Sequence, residues 1–222
     1  MALRALSMLE ARALGVLVEK AATVPDSYPL SLNSLTLGCN QKTARDPVIN
    51  AIESEVQEAV IALKSLHLAF EASGSRVTRY EHNAGRALAL PSQSVALLAT
   101  LVLRGPQTVS ELRAASERLH RFADMSSVEG FLEELAARAA EKGGPLVVKL
   151  PRAPGAREPR WAHLLSGAVD VSALPVATDS ADFVATSEIA ALKAQQSTMQ
   201  AELASQRALI ERLCAELGVT PS

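Results

Sequence analysis

Arg79-Tyr80-Glu81-His82 and Arg160-Trp161-Ala162-His163 are two versions of one short pattern, and their reading decides the fold. Both run from a basic residue to an aromatic and, two positions later, to a histidine. Each follows a turn-rich segment, Ser73-Gly74-Ser75 in the first and Pro151-Arg152-Ala153-Pro154-Gly155-Ala156 in the second. Each turn in turn follows an apolar run of helical period. A repeat of roughly 80 residues is too long for a solenoid unit and suits two related small domains in tandem.

The helix starts are legible upstream of each pattern. Four capping boxes pair a Ser or Thr with an acid or amide three residues later: Ser7/Glu10, Ser54/Gln57, Thr108/Glu111 and Ser126/Glu129. In each, both side chains can satisfy N–H groups that the first turn leaves unpaired. The first copy then reads as helices over residues 7–22, 31–39 and 54–66, and extended runs over 68–72 and 76–82. The second reads as helices over 92–104, 108–122 and 126–141, with extended runs over 146–150 and 160–165. Three helices closed by a hairpin is the order of a winged helix, in which the hairpin is the wing and the third helix is the groove-reading element. Tyr28-Pro29-Leu30 and Gly105-Pro106-Gln107 stand where the small first strand of that fold belongs.

The expected class is mainly α with small β-hairpins: winged-helix domains over residues 1–90 and 91–167, a linker over 168–186, and a coiled-coil helix over 187–218. The last rests on heptads. Ile189, Gln196, Leu203, Ile210 and Leu217 share one position, and Leu192, Met199, Gln206 and Leu213 share the other. The apolar members, Ile189, Leu192, Met199, Leu203, Ile210, Leu213 and Leu217, predict a homodimer through this helix, the alternative being an amphipathic helix folded back on the tandem domains.

Composition narrows the class of function. Hydrophobic residues make up 48%, charged residues 21% and aromatics 3%, which fits a helical globular protein. No apolar stretch approaches the length of a membrane span, and the N-terminus lacks a signal-peptide pattern, so a cytoplasmic location without membrane contact is expected. Cys39 and Cys214 read as reduced thiols. Gly-rich phosphate loops, paired Cys-x-x-Cys and nucleophile elbows are missing, and His67, His82, His120 and His163 are dispersed. Neither catalysis, nor a cofactor, nor a metal is therefore expected.

Two partners remain, duplex DNA or another protein. Residues 1–90 are neutral, residues 91–168 carry +2, and residues 169–222 carry −4. The third helices begin with acids, Glu53, Glu55 and Glu58 in the first copy and Glu129, Glu133 and Glu134 in the second. Acids there oppose approach to phosphates, although they also serve helix starts. The basic residues lie elsewhere: Lys42 and Arg45 before the third helix, Arg76 and Arg79 on the first wing, and Lys149, Arg152, Arg157 and Arg160 on the second. These eight are the expected phosphate contacts. Because winged helices most often bind DNA, a transcription-associated role is the first expectation, and a protein-interaction scaffold without DNA binding is the second.

Several stretches resemble the YceH-like family of bacterial proteins. They are Tyr28-Pro29-Leu30-Ser31-Leu32-Asn33-Ser34-Leu35, Cys39-Asn40-Gln41-Lys42, Arg45-Asp46-Pro47, Glu55-Val56-Gln57-Glu58-Ala59 and Leu103-Arg104-Gly105-Pro106-Gln107-Thr108. Gly74-Ser75-Arg76-Val77, Leu150-Pro151-Arg152 and Arg157-Glu158 fit as well, so the likeness spans residues 6–167. Ala44 stands where the pattern suggests Asn, and Trp161 where it suggests Tyr. The resemblance implies tandem winged helices and no catalytic residues. It marks the polar loop over residues 40–47 as the family's most distinctive segment, and such loops on rigid helices are common binding sites.

Overall fold

Residues 4–72, 77–152 and 155–169 are described by a computed structural model. Its elements, in order, are α1 (Met8–Thr23), β1 (Leu30–Ser31), α2 (Leu32–Cys39), α3 (Glu53–Ser65), β2 (Ala69–Ala72) and β3 (Arg79–His82). Then follow α4 (Ala84–Ala87), α5 (Ser92–Arg104), α6 (Val109–Ser116), α7 (Met125–Ala136), β4 (Val147–Lys149) and β5 (Trp161–His163). The protein is thus mainly α-helical, with small antiparallel sheets. The heptad residues from Ile189 to Leu217 and the linker from residue 170 onward lie outside the described residues, as does Arg76.

The order of three helices and a hairpin occurs twice, from α1 to β3 and from α5 to β5. In the first half β3 lies between β1 and β2, with Leu30 opposite Tyr80 and Ala69 opposite His82. In the second, Val147 lies opposite His163, and Gln107 alone bridges Trp161. Gln107 therefore meets Trp161 as Leu30 meets Tyr80. Both aromatics are buried and seat their hairpins on the helices.

The core is built on α1. Its residues from Glu10 to Val18 are all buried, because α2, α3 and α5 each pack against it. A helix covered on every side is a central one. Two glycines permit the close approaches. A Cβ on Gly15 would meet Leu103 Cγ of α5 at 3.0 Å, and one on Gly38 of α2 would meet Val16 Cγ1 at 2.5 Å. Buried apolar residues consequently form one cluster running from Leu6 through both halves to Leu165. The chain start joins it, the Leu6 N–H donating to the Leu165 carbonyl at 2.8 Å.

Four local expectations are corrected. The boxes Ser7/Glu10 and Thr108/Glu111 form with both reciprocal bonds, but the other two do not. Helix α3 starts one residue earlier, at Glu53, and Glu55 accepts from the Ile52 N–H at 2.9 Å. Helix α7 is capped by Asp124, which accepts from the Ser127 N–H at 2.7 Å. A carboxylate there answers both the free N–H and the helix dipole, so it outcompetes a nearby serine. Helix α6 stops at Ser116, not near residue 122. Leu119 and His120 N–H groups both turn back to the Ser116 carbonyl, and the turn carries Phe122 into the core against Phe131. Helix α7 stops at Ala136, and the expected extension to residue 141 is a loop with a short 3-10 turn, Ala140–Lys142. Leu146 follows this break and bonds back to the Leu135 carbonyl.

Candidate functional site

The polar loop between α2 and α3 is held from inside. The Arg45 side chain is fully buried and forms a two-pronged pair with Glu19 of α1, at 3.1 and 2.6 Å. Its Nε donates to the Gly38 carbonyl at 3.1 Å. Burial works to raise the Glu19 pKa, but the Arg45 hydrogen bond and charge, with Lys20, outweigh it and hold this carboxyl below its ordinary value. Arg12, also buried, donates to the carbonyls of Cys39 at 3.2 Å and Pro47 at 2.7 Å. Burial, and next the charge of Arg45, lower its pKa. The Asn40 amide grips Ala51 at both its N–H and its carbonyl, each at 2.8 Å. Finally the Asp46 N–H donates to the Leu103 carbonyl at 2.8 Å, tying the loop to the end of α5. Lys42 is exposed and has no partner among the described residues.

The hairpin cations are mostly engaged as well. Arg79 donates to the Pro29 carbonyl at 2.8 Å. Arg160 donates to the Pro106 carbonyl at 2.8 Å and grips Glu111 at 2.9 and 3.0 Å. Lys149 reaches Glu129 at 3.3 Å and lies 5.3 Å from the centre of the Trp161 ring. Arg152 and Arg157 are exposed. Of the eight expected phosphate contacts, Arg45 faces inward, and Arg79, Arg160 and Lys149 are bonded within the fold. Lys42, Arg152 and Arg157 are exposed with no partner among the described residues, and Arg76 lies outside those residues.

The helices that would read a groove present acids. On α3, Glu53, Glu55 and Glu58 are exposed, and on α7 so are Glu133 and Glu134. Beside α3 the surface is also apolar: Leu37, Val48 and Ile52 are exposed. Sequence reasoning missed this apolar patch. The available signal was phase, since Leu35 and Cys39 define the buried stripe of α2 and Leu37 falls off it.

Other titratable groups are wholly or partly buried. Burial lowers the pKa of His82, and that of His163 to about 4. These two residues occupy matching strand ends, where the His82 N–H donates to Tyr28 Oη at 2.7 Å. Burial pushes the Cys39 thiol up to about 12, far from a reactive thiolate. Among the described residues no group of His, Cys, Asp and Glu could hold a metal ion, and no helix is long and apolar enough to cross a membrane. A cleft of about 460 Å³ is lined by Leu90, Pro91, Ser94, Glu134, Arg138 and Lys142.

Comparison with known proteins supplies the lineage. A family model described as "Protein of unknown function, DUF480" matches residues 6–156. A UPF0502 protein of Leptothrix cholodnii is 62% identical over 219 residues, covering 97% of both chains. One of Burkholderia pseudomallei is 61% identical over 218 residues, and one of Methylibium petroleiphilum 63% over 219, each covering 98% of this chain and 92% of its own length. With two thirds of its length inside the family model, and relatives this similar from end to end, the chain belongs to the bacterial DUF480 family, whose members here carry the name UPF0502 protein.

Proposed function

We propose that this chain is a tandem winged-helix protein that docks a protein partner and does not read duplex DNA. The winged-helix reading is supported by the doubled order of three helices and a hairpin, and by the matching first-strand pairings of Leu30 with Tyr80 and of Gln107 with Trp161. The observation that carries the docking reading is the acidic exposed face of α3 and α7. Phosphate contacts supply most of the non-specific affinity of DNA-binding proteins. A helix offering Glu53, Glu55 and Glu58 to a groove subtracts from that term. The cations that could offset it are largely held within the fold. No catalytic step or cofactor forms part of this role, and the heptads of residues 187–218 would pair two copies.

A second reading, contact with a DNA backbone, draws on the exposed Lys42, Arg152 and Arg157. Gel retardation of mixed genomic duplex decides between them. At about 50 mM salt and about 10 μM protein, no retardation is expected. Retardation that weakens with salt and disappears in Arg152→Glu/Arg157→Glu would establish the DNA reading instead.

A further inference from the structure

We infer that Leu37, Val48 and Ile52, rimmed by Glu53, Glu55 and Glu58, form the docking surface for a basic amphipathic segment of a partner protein. This rests on the docking reading above and names its surface and partner chemistry. The three apolar side chains are 66%, 55% and 63% exposed, among the most exposed large apolar residues described. Leu37 lies on α2, and Val48 and Ile52 lie on the segment that leads into α3. Asn33 of α2 donates to Glu53 at 3.0 Å, and Asn40, two turns further along the same helix face, grips Ala51. Leu37 lies between these contacts on the helix, and Ile52 between them on the facing segment.

The base beneath this patch is rigid. Arg12 holds the Pro47 carbonyl just before Val48, and Arg45 holds the Gly38 carbonyl just after Leu37. Apolar groups fixed in advance lose little freedom on binding, which favours a specific site over incidental exposure. The corresponding surface of the second half differs in character. Between α6 and α7 it exposes Arg118 and Arg121, with Arg113 at its edge and a single large apolar residue, Met125. The apolar, acid-rimmed arrangement therefore belongs to the first half. Its complement is a segment with Leu or Ile on one side and Lys or Arg flanking them, the apolar side covering Leu37 and Ile52 and the cations meeting the glutamates.

The test uses the full chain and a fluorescent peptide of about 15 residues with Leu and Lys at helical spacing, beside a version with Glu for every Lys. Anisotropy should rise with the Lys peptide alone. Leu37→Asp/Ile52→Asp and Glu53→Lys/Glu55→Lys should each weaken binding by about tenfold or more, whereas Glu133→Lys/Glu134→Lys should leave it unchanged. All these positions are at the surface. Because Glu55 also caps α3 and Glu53 accepts from Asn33, melting curves are recorded for every variant, and binding is compared at a temperature where each stays folded. A peptide that binds but responds only to the α7 changes overturns this surface while leaving the docking reading intact. No binding of the Lys peptide overturns it outright. Concentration-dependent self-association of the free protein that Leu37→Asp abolishes would assign the patch to a second copy instead. The docking reading itself fails separately, through duplex retardation.

Discussion

Arg79 and Arg160, 81 positions apart, make the same bond: each guanidinium donates at 2.8 Å to the carbonyl of a proline that leads into the first strand, Pro29 or Pro106. The repeat is thus preserved at the level of a single hydrogen bond. The arginines that open the two sequence patterns anchor the hairpins to the chain leaving the first helix of each half. Arg160 adds the paired contact to Glu111, a residue that also closes the α6 capping box.

Arg160→Ala should therefore destabilise the protein by about 2 kcal/mol, because hydrogen bonds to charged groups are worth more than neutral ones. Arg79→Ala should cost less, about 1 kcal/mol, since it lacks the acidic partner. Urea unfolding of the two variants checks the order.

Arg45→Met should be more severe. It leaves Glu19 half-buried beneath the loop without its main partner, and breaking one side of a buried pair costs about 3–5 kcal/mol. Glu19→Gln/Arg45→Met should recover part of that loss. Chemical denaturation of the single and double variants measures the coupling.

Gly38→Ala forces a Cβ to within 2.5 Å of Val16 Cγ1. Overpacking of this kind costs about 1–3 kcal/mol. Adding Val16→Ala removes the obstructing methyl, so the double variant should be more stable than the sum of its singles. Melting temperatures report the difference.

Acid should weaken the fold before its carboxylates titrate. His163 is held neutral to about pH 4 by burial, whereas an unfolded histidine takes its proton near pH 6.5. Between those values the unfolded chain binds the extra proton, so this contribution is complete above the upper value and is lost as pH falls. From pH 6.5 to 5 the loss should be about 1–2 kcal/mol. Burial lowers His82 in the same direction. In His163→Leu, urea midpoints at the two pH values should lie closer together than in the parent.

Elements with a local signature were legible. Ser7 and Thr108 announce their helices because a hydroxyl and a carboxylate three residues apart satisfy N–H groups wherever the chain then turns helical. Where two candidate caps lie within a few residues, as with Asp124 and Ser126, the sequence alone does not rank them. The end of α6 at Ser116 was hidden too, since it depends on Phe122 reaching a core that only the assembled helices create.

The sequence by itself determined the repeat and the helix-and-hairpin order, because periodicity and turn residues act over short spans. Only the tertiary structure decided which charges reach solvent. Arg45 and Lys42 are three residues apart in one polar loop, yet one is wholly buried against Glu19 and the other is exposed. A charge finds its partner through space, and Glu19 lies 26 positions away in sequence. The same holds for Leu37, an ordinary helix residue until α3 and its leading turn settle beside it and leave it facing water.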